Sequence, residues 1–473
     1  MKMIEKLTTS LYLELVKRCE GKLLLRKEIP LDEDLFHAFL GQNIFTPISS
    51  IIKTPFIKIC RRCGNRKKSQ FSNMYDFNKK RLIAYCRNCI QMGRVIETEP
   101  LYRWNGEPAC WQKHESACTW EGQLTDAQTK ASETIRDVIL QQESALLVWA
   151  VCGSGKTEML FAGIEGALRQ GMRICLATPR VDVVRELLPR IQQAFSTIPI
   201  QALYGGSEEK RGTSQIIIAS THQLLRFEHA FDVVIIDELD AFPYHADTSL
   251  AFATERALKP SGTMIYLTAT PRRKERRKLQ WNQLKHVFVP TRYHGYPLPV
   301  PQMCMCFSLH KQLQKGTVPR AFIRWLCQRE NKQRQLLIFL PTISLTEKVA
   351  SQIYTILFNH KIIKDASEIT SVHASDPERE RKISQFRNKR LLVLVTTTIL
   401  ERGVTFPSVD VAIIDAGHSV FDEAALVQIA GRAGRSAEDP DGEVVFFHDG
   451  KTNAMVRAIR LIKRMNRIGG FTS

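Results

Sequence analysis

Residues 145–157 read ALLVWAVCGSGKT, an apolar run that leads into a glycine-rich turn ending in lysine and threonine. Glycines let backbone N–H groups close on phosphates at a helix N-terminus, and the lysine and threonine then reach the β- and γ-phosphates and Mg²⁺. An incidental glycine-rich turn is the alternative, but it does not explain the flanking strand and helix patterns. The stretch therefore predicts a phosphate loop for ATP and Mg²⁺, formed by Gly153, Ser154, Gly155, Lys156 and Thr157.

Apolar and β-branched runs recur after this loop, separated by helix-length stretches. RICLAT, QIIIAS, VVIID and TMIYLTAT come first, and LLIFLP, EITSVHA, LLVLVTT, VAIIDA and EVVFFHD follow a proline-rich stretch at 290–301. This alternation is typical of parallel sheets wrapped by helices. Because the prolines interrupt it, we expect two tandem α/β lobes at 121–290 and 291–473. An N-terminal region at 1–55 and a small cysteine module at 56–120 precede them.

Composition indicates a globular protein with anionic partners. The chain has 473 residues, enough for about three domains, and 44% of them are apolar, which excludes a disordered or collagenous chain. The net charge of +19 favours nucleic-acid backbones, although an anionic membrane would also attract it. No run reaches the roughly 18 uncharged apolar residues that a membrane-spanning helix needs. We expect a cytoplasmic protein that could dock peripherally at the inner face of the cell membrane.

Four of the twelve cysteines form two C-x-x-C pairs separated by 22 residues. Each pair supplies two sulfur ligands from one tight turn, and four thiolates close a tetrahedral structural site. A redox-active pair is the alternative, but it needs a single C-x-x-C beside a βαβ unit. The spacing therefore predicts a Zn²⁺ site with the ligands Cys60, Cys63, Cys86 and Cys89.

The cysteine module is also strongly basic. Residues 60–94 contain ten lysines and arginines against the single Asp76, a net charge of +9. Aromatic residues, Tyr75 and Phe77 among them, are interleaved with these charges. Because cations follow a phosphate backbone and aromatic rings stack on unpaired bases, the module is a candidate contact for single-stranded DNA. A solvated charged surface over core aromatics is the alternative.

An acidic stretch, DELD at 237–240, ends the apolar run FDVVIID. At the carboxyl end of a parallel strand, Asp237 can hold Mg²⁺ through a water, and Glu238 can orient the attacking water as general base. Without the preceding run and the phosphate loop, DELD would more often be a solvated acidic turn. Upstream, the amide of Gln128 could bind the adenine edge of ATP, although a solvated glutamine on a helix is the alternative.

Six motifs occur in a fixed order between Ala150 and Arg435: AVCGSGKT, TPR, DELD, TAT, TTTILERGVTFP and QIAGRAGR. This order resembles superfamily 2 helicases and implies an ATP-hydrolysing motor with two RecA-like lobes. With the preceding cysteine module and the RYHGYPLPVP linker, the chain resembles the ComFA family of late-competence DNA-uptake ATPases of Gram-positive bacteria. That resemblance implies import of single-stranded DNA, with a ComFC-like protein and a ComEC-like membrane channel as partners, and leaves room for an oligomer.

The resemblance also assigns roles to individual side chains. It implies that Arg435 is an arginine finger that reaches the γ-phosphate from the opposite lobe, with Arg432 beside it and Gln428 near the nucleotide or the acidic motif. A surface R-x-x-R on a helix is the alternative. DNA contacts are expected at strand ends, where plain capping by threonines is the competing role. They are Thr178, Arg180, Thr221, His222, Thr396, Thr397, Thr398 and Arg402.

Two other functions remain open on the sequence alone. A replication or repair helicase resembling PriA would share the motor motifs, but that family inserts two zinc sites within its motor, whereas this cysteine module precedes the phosphate loop. A non-catalytic, zinc-dependent DNA-binding adaptor would carry a defective motor. The presence of Lys156, Asp237, Glu238 and Arg435 argues against the adaptor.

Overall fold

The computed structural model describes residues 9–77, 79–207 and 211–471. The first eight residues of the predicted N-terminal region and the last two of the predicted second lobe lie outside these ranges. The described chain divides into two compact units. The first unit contains the residues up to 149 and residues 157–287, and the second contains residues 150–156 and those from 288 onward. Residues 150–156 of the phosphate loop therefore belong to the second unit, whereas residues 145–149 of the preceding strand and Thr157 belong to the first.

The N-terminal part of the first unit consists of two helices and short antiparallel strands. Asp32 caps the second helix by accepting the N–H of Leu35 at 2.7 Å. An aromatic core of Phe36, Phe39 and Trp104 fixes the helices to the strands. The elements are α1 (Thr9–Cys19), β1 (Leu23–Leu24), α2 (Glu33–Gly41), β2 (Phe45–Ile48), β3 (Ile51–Lys53), β4 (Lys58–Cys60), β5 (Phe71–Asp76), β6 (Arg81–Cys86), β7 (Val95–Ile96) and β8 (Leu101–Trp104).

Strand pairing joins the N-terminal region to residues beyond the cysteines. β8 lies between β1 and β2 and is antiparallel to both. The four cysteines fall between β2 and β8, where β3 pairs with β4 and the β5–β6 hairpin extends to β7. The cysteine module is thus held at both of its ends by one small sheet.

A seven-stranded sheet forms the rest of the first unit, in the order β11–β12–β10–β13–β14–β9–β15. The neighbours from β11 to β9 are all parallel. Every residue of β10 and β12 is buried, as expected for parallel strands covered on both faces. The elements are α3 (Asp126–Leu140), β9 (Ala145–Ala150), α4 (Phe161–Arg169), β10 (Ile174–Thr178), α5 (Val181–Ala194), β11 (Ile200–Leu203), β12 (Ile216–Ser220), β13 (Phe231–Ile236), α6 (Thr248–Ala257), β14 (Leu258–Thr268), α7 (Arg273–Gln280) and β15 (Lys285–Val289).

The second unit contains a six-stranded sheet in the order β16–β21–β20–β17–β19–β18, and all of its strand pairs are parallel. The two parallel sheets confirm the predicted α/β fold class. Among the described residues, none of the helices combines the length and apolar composition that a bilayer crossing requires. The elements are β16 (Gln302–Met305), α8 (Leu309–Gln314), α9 (Arg320–Gln328), β17 (Gln335–Phe339), α10 (Ile343–Asn359), β18 (Ile369–Val372), α11 (Arg379–Arg387), β19 (Val393–Thr396), β20 (Val409–Ile414), α12 (Glu423–Ala430), β21 (Val444–His448) and α13 (Asn453–Ile468).

Candidate nucleotide, nucleic-acid and metal sites

The predicted phosphate loop connects β9 to a short 3-10 turn, from which α4 continues. Gly153 and Gly155 have φ values of 79° and 70°, a region that a Cβ disfavours, so this turn needs glycine at both positions. The ammonium of Lys156 donates to the carbonyls of Ala150 and Val151, each at 3.1 Å. These bonds hold its charge at the start of the loop, where it can meet a phosphate. The other predicted loop residues, both buried, are Ser154 and Thr157.

Within the second unit, the phosphate loop contacts the QIAGRAGR segment. The thiol of Cys152 donates to Oε1 of Gln428 at 3.0 Å. A Cβ on Gly431 would approach the Cβ of Cys152 to 2.5 Å, so the close contact of loop and helix requires glycine there. The contact places Gln428 beside the phosphate loop.

The two arginines of QIAGRAGR lie in different surroundings. Arg432 is 2% exposed, and its guanidinium donates to the carbonyls of Glu401, at 3.1 Å, and Val404. Arg435 is half-buried, and its Nε donates to the carbonyl of Gly431 at 2.9 Å. Arg432 therefore holds the backbone of the preceding motif in place. We predicted that its charge would lie beside Arg435, and the structure does not present it there. Arg435 alone stays the candidate finger.

Arg292, in the proline-rich linker, was not among the predicted site residues. Its guanidinium is 1% exposed and donates to the carbonyls of Ala433, at 2.9 Å, and Gly434. Burial and the neighbouring charge of Arg435 lower the pKa of Arg292 to about 10. Its Cγ would lie 3.7 Å from a Cβ on Gly153. A buried cation thus lies between the phosphate loop and QIAGRAGR, and it favours negative charge there.

The acidic stretch DELD begins directly after β13. The N–H of Asp237 donates to the carbonyl of Ala177 at 2.8 Å, which fixes it against β10. Oδ1 of Asp237 accepts the N–H of Glu238 at 2.9 Å. Glu238 has a φ of 58°, a left-handed conformation that is uncommon outside glycine and concentrates at functional sites. Both residues therefore lie at the carboxyl edge of the sheet, and their backbone is held in place there.

Asp240, which was not among the predicted site residues, joins DELD to the TAT motif. Its buried carboxylate accepts from the hydroxyl of Thr268 at 2.6 Å and from that of Thr270 at 2.5 Å. Nε of Arg272 donates to its backbone carbonyl at 2.9 Å. The acidic stretch is therefore bonded to the end of β14, and a displacement of either motif moves the other.

Gln128 has a structural role that differs from the predicted one. Its Oε1 accepts the N–H of Thr125 at 2.7 Å, and the Thr125 hydroxyl accepts the N–H of Gln128 at 3.4 Å. This reciprocal pair is a capping box, which begins α3. The amide oxygen that we assigned to the adenine edge is therefore engaged in the helix cap, and the side chain is buried.

The predicted DNA contacts of the first unit meet at one edge of its sheet. Thr178 ends β10 in register with Ser220, which ends β12 and precedes Thr221 and His222. Both threonines are fully buried, whereas Arg180 and His222 are half-buried. Burial lowers the pKa of His222 and so favours the neutral imidazole. At this edge the arginine and the histidine are the side chains within reach of a nucleic-acid strand.

The predicted contacts of the second unit lie after β19. The hydroxyl of Thr396 donates to a backbone carbonyl of β18 at 3.0 Å, and Thr397 is buried. Thr398 begins a 3-10 turn and is half-buried. Arg402 is buried and pairs with Glu401 at 3.4 Å. Arg402 therefore does not present its guanidinium to solvent, as a phosphate contact would require, and Thr398 is the residue of this group nearest the surface.

The four cysteines of the module converge. Their Sγ atoms all lie within 4.8 Å of one another, with 3.8 Å between Cys60 and Cys89 and 3.6 Å between Cys63 and Cys86. All four side chains are fully buried. A tetrahedral thiolate site with a metal–sulfur distance of about 2.3 Å separates its sulfurs by about 3.8 Å, so the arrangement fits a zinc-like ion. The cluster can hold one metal ion through four thiolates.

The cysteine module is fixed to the seven-stranded sheet by α6. Arg256 donates to the carbonyls of Arg61, at 2.8 Å, and Arg62, at 2.5 Å, in the first cysteine turn. A Cβ on Gly64 would approach the ring of Phe252 to 2.6 Å, so the turn packs closely on this helix. The four-cysteine cluster is consequently part of the core of the first unit.

The surface of the module matches the predicted basic and aromatic character with one exception. Arg62 is fully buried and pairs with Glu28 at 3.0 Å, so it is not available to DNA. The other nine lysines and arginines of residues 60–94 are exposed. Phe77 is 82% exposed and makes an edge-on contact with Tyr75 at 5.1 Å between ring centroids. The β5–β6 hairpin thus presents two aromatic rings among cations.

Known proteins match this chain along most of its length. Over 456 residues it is 44% identical to the competence protein ComFA of Bacillus subtilis strain 168, and the alignment covers 96% of each chain. The chain belongs to the ComFA family. The ComFA of Streptococcus pneumoniae R6 is 38% identical over 386 residues, 82% of this chain and 86% of that protein. This confirms the family predicted from the motif order together with the cysteine module and the linker, that of competence DNA-uptake proteins with helicase-type ATPase domains.

Family models divide this ComFA-family chain into three matched segments. Residues 9–103 match the competence protein ComFA N-terminal domain, which includes the four cysteines. Residues 121–273 match the type III restriction enzyme res subunit, and residues 318–437 match the helicase conserved C-terminal domain. The phosphate loop and DELD fall in the second segment and QIAGRAGR in the third.

Solved helicase structures share the architecture of this ComFA-family chain. Mycobacterium smegmatis helicase Lhr, bound to ssDNA and AMP-PNP, aligns with a TM-score of 0.52 and 16% identity over 74% of this chain and 51% of that one. S. cerevisiae Dbp5, bound to RNA and ADP BeF3, aligns with a TM-score of 0.51 and 17% identity over 72% and 91%. At these identities the likeness shows the fold alone, and it confirms the two RecA-like lobes.

Proposed function

We propose that this chain is an ATP-dependent motor that moves along single-stranded DNA and drives its import during natural competence. The observation that carries the proposal is the contact between the phosphate loop and QIAGRAGR, in which Gln428 and Gly431 meet Cys152. The segment expected to respond to the γ-phosphate therefore lies against the loop expected to bind it. Family membership supports DNA as the substrate, since the ComFA proteins of Bacillus subtilis and Streptococcus pneumoniae are competence proteins.

The proposed reaction is hydrolysis of the β–γ phosphoanhydride bond of ATP. Lys156 and the N–H groups of the loop bind the β- and γ-phosphates. Asp237 would hold Mg²⁺, and a bound Mg²⁺ would neutralise charge on these phosphates. Glu238 orients a water for attack on the γ-phosphorus and accepts its proton, while Arg435 stabilises the charge that develops on the phosphoryl oxygens.

The proposed DNA contacts are independent of base sequence. In the first unit, Arg180 and His222 at the sheet edge can contact a phosphate, and in the second unit Thr398 can do so. The exposed cations of the cysteine module and the rings of Tyr75 and Phe77 are further candidate contacts. The ComFC-like protein and ComEC-like channel implied by the family resemblance are the proposed partners, which would place the motor at the inner face of the membrane.

Hydrolysis measured with different nucleic acids tests this proposal. We expect single-stranded DNA to stimulate ATP hydrolysis by the purified chain more than duplex DNA or RNA of the same length does. Lys156→Ala is the matched control and should remove the stimulated rate, because its ammonium is the cation of the phosphate loop. No ATP hydrolysis under any condition, with DNA binding intact, would instead identify a non-catalytic adaptor.

We also propose that the four-cysteine cluster holds Zn²⁺ in a structural role, because four thiolates leave no coordination position for a substrate. Purified protein is expected to contain about one zinc per chain, and the double change Cys60→Ala, Cys63→Ala should remove it. Hydrogen exchange should then rise over residues 56–94, since Arg256 binds the backbone of the same turn. Metal analysis and exchange measurements check both expectations.

The control for the zinc prediction is Cys327→Ala, a half-buried cysteine outside the cluster, which should keep the metal. Unchanged hydrogen exchange and stability after mild chelation would contradict the structural role.

A further inference from the structure

Three potential metal ligands converge in the second unit. They are separate from the four cysteines, which belong to the first unit. Nε2 of His310, in α8, lies 2.9 Å from Oδ2 of Asp449, and its Nδ1 lies 3.6 Å from Oδ2 of Asp415. One ligand atom from each residue lies within 4.8 Å of the others. The two carboxylates follow β20 and β21, adjacent parallel strands in which Ile414 is in register with Phe447. Strand order thus brings both carboxylates to one sheet edge.

Among these three residues, Asp415 has the buried carboxylate that a nearby positive charge would stabilise most. It is 1% exposed, and its Oδ1 has no hydrogen-bond partner among the described residues. Its φ of 64° is a left-handed conformation, which a non-glycine residue keeps only where its surroundings enforce it. A buried carboxylate with an unsatisfied oxygen is costly, and the nearby carboxylate of Asp449 adds repulsion. A neutral imidazole supplies no charge to compensate them.

We propose that His310, Asp415 and Asp449 form a site for a divalent cation that accepts imidazole and carboxylate ligands, such as Mn²⁺ or Zn²⁺. One ring nitrogen of His310 would bind the ion, and the other would donate its N–H to a carboxylate oxygen, as in many metal-bound histidines. His310 is 57% exposed, so the site opens to solvent and water can fill the remaining positions.

The proposed ion would fix α8 to the ends of β20 and β21. The segment after Asp415 leads into α12, which carries Gln428. The ion would therefore stabilise the sheet edge from which the chain leads into α12. This inference does not depend on the proposed motor function, because it rests on side chains outside the phosphate loop, DELD and QIAGRAGR.

Manganese titration of the full chain, with its four-cysteine site loaded with zinc and no nucleotide present, tests the site. Electron paramagnetic resonance should show saturable binding of Mn²⁺, and the melting temperature should rise with Mn²⁺ concentration because the ion binds the folded state. His310→Gln and Asp449→Asn should each weaken this binding by at least about tenfold. His360→Gln, an exposed histidine at the end of α10, is the matched control and should bind as the unchanged protein does.

Zinc content and circular dichroism establish that each variant is folded before it is titrated. Binding lost in both ligand variants and kept in His360→Gln supports the site. Absence of saturable Mn²⁺ binding in the unchanged protein, together with no second zinc on titration with Zn²⁺, overturns it. Equal binding in all four proteins overturns it as well. In either case the contacts of His310 with the two carboxylates would account for the cluster without a metal ion.

Discussion

Replacing Arg435 with alanine is expected to lower the DNA-stimulated rate of ATP hydrolysis by roughly 10³–10⁵-fold, the range reported for arginine fingers. Nε of Arg435 is held by the carbonyl of Gly431, and Gly431 packs against Cys152 of the phosphate loop. The guanidinium acts on charge that develops during hydrolysis, whereas Lys156 and the loop N–H groups bind ground-state ATP. ATP affinity should therefore change little. Steady-state hydrolysis with and without single-stranded DNA measures the stimulated rate. Equilibrium nucleotide binding measures the ATP affinity.

Two other arginines provide controls for this prediction. Arg464→Ala, at an exposed position on α13, should hydrolyse ATP at the unchanged rate. Arg432→Ala should lower the melting temperature, because Arg432 braces the carbonyls of Glu401 and Val404. If DNA stimulates hydrolysis by Arg435→Ala as strongly as by the unchanged protein, Arg435 is not the finger.

Glu238→Gln and Lys156→Ala should both abolish turnover, but at different steps. Glu238→Gln keeps the shape of the side chain and removes the base, so ATP should bind normally and hydrolysis should fall about 10²–10⁴-fold. Lys156→Ala removes the cation of the phosphate loop, so ATP binding itself should weaken. Equilibrium nucleotide binding and single-turnover hydrolysis separate the two effects.

The control for this pair is Glu255→Gln, an exposed glutamate on α6 that should leave both binding and turnover unchanged. Turnover at the unchanged rate in Glu238→Gln would show that another group is the general base.

Features with strong local sequence signals were predictable. The apolar runs gave two parallel sheets, because such strands are buried on both faces, and DELD followed its strand at the sheet edge. Two C-x-x-C turns were enough to predict that Cys60, Cys63, Cys86 and Cys89 converge, since a tetrahedral thiolate site needs that spacing. In each case the residues of the motif that carries the chemistry are close together in the sequence.

Gln128 lies in the local pattern T-x-x-Q, from Thr125 to Gln128, which is itself the signature of a capping box. Features that depend on tertiary contacts were not predictable. Arg402 and Arg432 are buried, because packing competes with the roles that the motifs suggested. Nothing in the linker sequence indicates that Arg292 lies beneath QIAGRAGR. His310 and its two carboxylates are brought together only by the order of strands in the second sheet.

Movement along single-stranded DNA can be measured by displacement of streptavidin from biotinylated oligonucleotides. A motor that steps along the backbone should displace streptavidin from one end of the strand when ATP is supplied. A non-hydrolysable ATP analogue, or the Lys156→Ala variant with ATP, should give none. Displacement confined to one end and dependent on hydrolysis is the predicted result. ATP hydrolysis that is stimulated by DNA but displaces streptavidin from neither end would contradict movement along single-stranded DNA.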